Sequence, residues 1–100
     1  MNYQIYTGGK VQKFIDGLDK IRRARVDRIY DLFEMYGTYM PGKYIKKLGP
    51  NLWELRPGDI RLFLTIKGIQ GFVVHGIMKK TQKTPRKDLS LAMQRIKKDV

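Results

Sequence analysis

Residues 52–85 read LWELRPGDIRLFLTIKGIQGFVVHGIMKKTQKTP, and this stretch decides the fold. Leu52–Arg56 is a short β-prone run closed by Pro57-Gly58-Asp59. From Ile60 to Lys67 the side chains alternate. Ile60, Leu62, Leu64 and Ile66 fall on one side, and Arg61, Phe63 and Thr65 on the other, which is the period of a strand. Gly68–Gly71 carries a second turn around Ile69-Gln70, and Gly71–Met78 is the next strand. Lys79-Lys80 follows. Thr84-Pro85 then sets an N-cap residue before a proline suited to the first helical position. Short turns between successive strands predict an antiparallel meander.

Working outward, Tyr3–Tyr6 is β-prone and ends at Gly8-Gly9. Val11, Phe14, Ile15 and Leu18 recur at i, i+3, i+4 and i+7, so a helix follows, with Gly17 near its end. A second helix is predicted from about Lys20 to Tyr36, with Gly37 as its C-terminal cap. Its inward face is Val26, Ile29, Phe33 and Tyr36, so Tyr36 is expected in the core, as is Trp53. Lys43–Lys47 is basic around Tyr44 and Ile45 and shows no decisive period. Gly49-Pro50-Asn51 is a turn. Leu89, Ala92, Met93 and Ile96 form the apolar stripe of a last helix. The predicted order is β-α-α-β-β-β-α. It describes an α+β fold: a helical hairpin and a C-terminal helix packed around a small, mainly antiparallel sheet, with the first strand adding at one edge. One hundred residues make one domain, 1–100.

The formal charge is +12, and it is uneven. Residues 1–42 hold seven Lys/Arg against five Asp/Glu, and residues 43–100 hold fourteen against four. A basic half on a small domain is the electrostatic footprint of a nucleic-acid partner. With 42% hydrophobic residues the chain can bury a core, which argues against disorder. No apolar run reaches the ~18 residues of a membrane span. The N-terminus shows no charged segment leading into an apolar one, so no secretory signal is expected. With no cysteine, the expectation is a cytoplasmic protein without disulfides. One histidine, no cysteine and nine scattered acids give no visible metal-ligand set. Walker spacing is absent, and the only serine, Ser90, lies in the last helix, so a serine triad is excluded.

The chemistry-bearing residues lie around the strands. If the aliphatic face of Ile60–Lys67 packs on the helices, Arg61 lies on an open face, with Arg56 on a neighbouring strand and Lys79 and Lys80 just past the third. Arginine offers a planar fork matched to phosphate oxygens. A salt-bridged surface role is the structural alternative for both arginines. His75 is the natural candidate for proton transfer near neutral pH. Alternation places it with Val73 and Ile77, opposite Phe72 and Val74; the alternative is a histidine held by packing. Tyr39 and Tyr44 are candidates for stacking on an RNA base.

LWELR, then IRLF, then VHGIMKKTQKTP resembles the HigB branch of the RelE/ParE toxin superfamily, also described as phage-derived Gp49-like proteins. The resemblance covers nearly the whole chain. It implies the toxin of a type II toxin–antitoxin pair: a ribosome-dependent messenger-RNA endoribonuclease needing no cofactor or metal. In that family the ribose 2′-OH attacks the adjacent phosphate. Carried onto this sequence, Arg61 would hold the scissile phosphate, and Lys79 and Lys80 would stabilise charge or protonate the leaving oxygen. His75 would be the base or a neighbour of the site. Arg56, Lys46, Lys47, Lys83 and Tyr44 would bind RNA. The implied partners are messenger RNA, the ribosomal A site with its RNA, and a cognate helix-turn-helix antitoxin of the HigA type; no membrane is implied. The chain departs from RelE at Glu54, where RelE carries lysines, and no tyrosine follows Tyr44. Two alternatives are a ParE-like gyrase-inhibiting toxin and a non-catalytic RNA-binding module.

Overall fold

The structure, a computed structural model, describes residues 2–80 and 84–99. The chain runs β1 (Gln4–Thr7), α1 (Gly9–Asp16), α2 (Lys20–Tyr36), a 3₁₀ turn (Gly37–Tyr39), β2 (Ile45–Gly49), β3 (Leu52–Leu55), β4 (Ile60–Lys67), β5 (Gln70–Met78) and α3 (Arg86–Asp99). The strands form one sheet in the order β1-β5-β4-β3-β2. β1 pairs parallel to β5 at one edge, and the other pairings are antiparallel. This is the expected α+β architecture with one addition. The basic segment at Lys43–Lys47 supplies an edge strand, β2, which makes the order β-α-α-β-β-β-β-α.

Two apolar layers hold the sheet. Ile60, Leu62 and Leu64 of β4 join Val11, Ile15, Val26, Ile29 and Phe33 in the core under α1 and α2. Phe63, Val74 and Leu52 pack on the opposite face against Ala92, with Leu89 and Ile96 beside it. The second face is therefore not open. α3 covers most of it, and Arg61 lies where that cover ends.

Tyr36 is 51% exposed rather than buried. Tyr3 takes its place, packing edge-on against Phe33 with ring centroids 5.6 Å apart. The Tyr3 ring lies over Gly37, which caps α2 at φ 54°, and a Cβ there would collide with the ring. Gly37→Ala is expected to cost about 1–3 kcal/mol, from the left-handed backbone and the displaced tyrosine together. Urea denaturation measures it, and an unchanged midpoint would refute it.

The β3–β4 loop is tied to α2. Arg22 grips Asp59 through Nε at 3.0 Å and Nη2 at 2.8 Å, and reaches Asp19 through Nη1 at 2.8 Å. These hydrogen bonds hold both carboxyls below their ordinary 3.8. A depressed carboxylate stabilises the fold above its unfolded pKa, and that contribution disappears as pH falls through the folded value. Arg22→Gln is expected to flatten the loss of stability between about pH 4 and pH 2. Urea midpoints across that range test this, and parallel curves for both proteins would contradict it.

Candidate functional site

Glu54 organises the uncovered end of the α3 face. It lies in β3 and is 3% exposed. Cross-strand partners share a face, and Glu54 pairs with Phe63 of β4 and with Lys46 of β2. Arg61, two residues before Phe63, therefore points to the same side. Arg56 Nε lies 3.4 Å from Glu54 Oε1. Arg61 Nε lies 4.0 Å from the same oxygen, within ion-pair range but beyond hydrogen-bond reach. Thr84 donates its hydroxyl to Glu54 Oε2 at 3.3 Å. One carboxylate thus gathers two guanidinium groups and the residue leading into α3.

Backbone oxygens fix Arg61 further. Its Nη1 donates to the Gly58 carbonyl at 2.6 Å and to the Ile60 carbonyl at 2.9 Å. The buried Nε has no hydrogen-bond partner among the described residues. Burial pushes the guanidinium below its usual pKa, Glu54 opposes the shift and Arg56 adds to it. An arginine remains cationic under such a shift. The result is a guanidinium held in one orientation beside a second cation, an arrangement that can attract a phosphate oxygen.

His75 is placed differently from its expected position. Phe63 pairs with His75, but Leu64 pairs with Val73, so Val74 is an extra residue in β5. This bulge interrupts the alternation. His75 shares the α3 face with Val74 and Ile77, and Val73 points to the other core. The imidazole stacks on Phe63 at 5.9 Å. Its Nε2 is 2.8 Å from Asp88 Oδ1, and its Nδ1 is 3.2 Å from Arg95 Nη1. Both ring nitrogens are engaged by residues of α3.

The remaining cations divide. Lys46 is exposed and shares the face of Glu54 by register. Lys47 pairs with Trp53 on the opposite face, its Nζ 5.5 Å from the indole ring centroid. Tyr44 is half-buried against the helix-side core, with Lys43 Nζ 5.0 Å from its ring centroid. Its carbonyl accepts the Arg56 N–H at 2.8 Å. Lys79 extends the ladder past β5, donating its N–H to the Asp59 carbonyl at 2.7 Å, next to the Gly58 oxygen that holds Arg61. Lys80 is exposed. Lys83 lies outside the described residues. Tyr39 is 85% exposed on the 3₁₀ turn.

Sequence reasoning marks Glu54 only as a departure from RelE and passes over Asp88 and Arg95. Glu54 had a signal, an acid two residues before an arginine within an apolar strand. Asp88 and Arg95 stand at i and i+7 beside the apolar stripe of α3, a spacing that puts both on one helix face. Thr84 was expected to cap α3. The helix begins at Arg86, with the Pro85 carbonyl accepting from Asp88 and Leu89, and the Thr84 hydroxyl goes to Glu54 instead.

The chain thus presents an α+β fold whose sheet has a cationic end tied by one buried carboxylate. The family described as "Phage derived protein Gp49-like (DUF891)" matches residues 13–97, and the chain belongs to that family. No curated protein gives a match to the sequence. Among solved structures, a chain in "Crystal structure of archaeal RelE-RelB complex from Pyrococcus horikoshii OT3" superimposes with a TM-score of 0.70 at 21% identity. The match covers 80% of this chain and 98% of that one. The fold is RelE-like. No helix among the described residues is long and apolar enough to cross a membrane.

Proposed function

We propose that this protein is the toxin of a type II toxin–antitoxin pair and acts as a ribosome-dependent messenger-RNA endoribonuclease of the HigB type. The observation that carries the reading is the Arg61 guanidinium, fixed by Gly58, Ile60 and Glu54 beside Arg56, in a chain of the Gp49-like family. In this mechanism the ribose 2′-oxygen forms a bond to the adjacent phosphorus as the bond to the 5′-oxygen breaks. The products are a 2′,3′-cyclic phosphate and a 5′-OH. Arg61 and Arg56 neutralise the charge that builds on the phosphoryl oxygens. Lys79 or Lys80 gives a proton to the leaving 5′-oxygen, and the 2′-OH proton passes to solvent. His75, held through both nitrogens, positions the β5 segment beneath the site. Lys46 contacts flanking RNA on the Glu54 face, and an RNA-binding role is proposed for Lys47, Tyr44 and Lys83 as well. Rate enhancement then comes from orientation and charge, which a message held in the ribosomal A site makes effective.

The archaeal relative was crystallised as a RelE–RelB complex, and a protein antitoxin of the helix-turn-helix HigA type is the partner proposed for this chain. Reconstituted translation of a defined message, with new RNA ends mapped with and without ribosomes, tests the proposal. Cuts ending in cyclic phosphate only when ribosomes are present are expected. Intact message in every reaction would remove the nuclease reading, and inhibition of gyrase supercoiling instead would establish the ParE-like alternative.

A further inference from the structure

A cleft of about 680 Å³ opens toward the other end of β5 from Arg61. It lies between the β1–α1 junction and α3, at Phe72–Val74. Ile77, the partner of Arg61, is three to five residues further along the strand, roughly 10–17 Å at the usual rise. Its volume is within the ordinary range of small-molecule sites.

The described lining residues include three cations, Lys10, Arg95 and Lys98, and no carboxylate. Lys10 comes from α1, and Arg95 and Lys98 come from α3. Arg95 is fixed, its Nη1 bonding the Val74 carbonyl at 2.9 Å and His75 Nδ1 at 3.2 Å. Neither Lys10 nor Lys98 forms an ion pair with a described residue. One wall is aromatic: Tyr6 stacks on Phe72 at 5.4 Å and 20°, and Tyr6 is 47% exposed. The first turn of α1 adds to the positive character, since it has no acidic residue and no side-chain cap among the described residues. Such a turn leaves N–H groups without intrahelical acceptors.

Three cations and an exposed ring lining one pocket match a ligand that has both a phosphate and a planar base. We propose that this cleft binds a phosphorylated nucleotide unit, as a free nucleotide or as part of an RNA strand. The phosphate lies between Lys10, Lys98 and the α1 N-terminus, and the base lies against Tyr6. Arg95 sets the depth of the cleft and ties it to His75. The site is separate from the Arg61 end of the sheet and does not depend on the nuclease reading.

Amide chemical-shift mapping of the full chain tests it, with AMP, adenosine, inorganic phosphate and a 5′-phosphorylated trinucleotide as probes. AMP is expected to move Gly9, Lys10 and Val11 in a saturable way, more tightly than adenosine or phosphate alone. Lys10→Gln with Lys98→Gln is expected to weaken AMP on the order of tenfold, and Arg61→Ala to leave it unchanged. The spectra also report that each variant is folded. Tighter binding of the trinucleotide assigns the site to RNA, and equal binding assigns it to free nucleotide. Phosphate binding as tightly as AMP would overturn the base contact. Silence of these amides with every probe, or AMP binding unaffected by the double variant, would overturn the site.

Discussion

Arg61→Ala is expected to lower ribosome-dependent cleavage by on the order of 10²–10³-fold, the effect of removing one preorganised donor from a developing oxyanion. Stability should fall by roughly 1–2 kcal/mol, because the hydrogen bonds to the Gly58 and Ile60 carbonyls are lost. The loss is limited because the substitution also removes a buried Nε with no hydrogen-bond partner among the described residues, and Glu54 keeps Arg56 and Thr84. Arg61→Lys separates charge from geometry. Lysine keeps the cation but cannot present the fork that Gly58 and Ile60 orient. It should recover only a small part of the rate. Cleavage rates measured beside thermal melts decide the matter. Full activity in Arg61→Ala would end the assignment of this residue to the scissile phosphate, and a collapsed melt would make it a structural residue.

The largest effect on stability is expected at Glu54. Its carboxylate is almost fully buried, and two guanidinium groups depend on it. Removing one partner of a buried ion pair leaves uncompensated charge and costs roughly 3–5 kcal/mol. Arg56 is partly exposed, so solvent screens part of the loss, and roughly 3 kcal/mol is expected for Glu54→Gln. In a domain of this size that lowers Tm by more than about 10 °C. The glutamine keeps the shape and an acceptor for Thr84, so the loss reports charge rather than volume. Added salt should restore part of it, because the exposed share of the repulsion between Arg56 and Arg61 is screened. A Glu54→Gln protein that melts with the wild type at low salt would show that the two arginines do not rely on this carboxylate.

How far the fold was legible depended on where pairing was local. β4 was read to its ends, because four aliphatic residues alternate without interruption and both flanking turns carry glycine. β2 gave no such pattern: only Ile45 of its residues is fully buried, and its place at the edge comes from pairing with β3 rather than from its own period. Helical periodicity puts Tyr36 inward, yet the ring that packs on Phe33 is Tyr3, which arrives from the far end of the chain. Alternation puts His75 correctly with Ile77 but with Val73 in place of Val74, because one extra residue in β5 breaks the count and nothing in GFVVHGIM marks where the bulge falls. The cations of the candidate site were legible as a set, since arginines and lysines in and after strands are visible in any reading. Their arrangement was not. It follows from a glutamate, a threonine before a helix, and a loop carbonyl, and nothing in the sequence shows that these three meet at the two arginines.

The parallel pairing of β1 with β5 also fixes when this protein can finish folding. Gln4 meets Gln70, a partner 66 positions later. During synthesis at about 5–20 residues per second, the first strand waits roughly 3–13 s for that partner to exist. Through that interval the helices and the β2–β4 segment can assemble locally, while the N-terminal strand stays unpaired. A chain cut short before Gln70 never closes its sheet, so completion of the fold is a checkpoint on completion of the polypeptide.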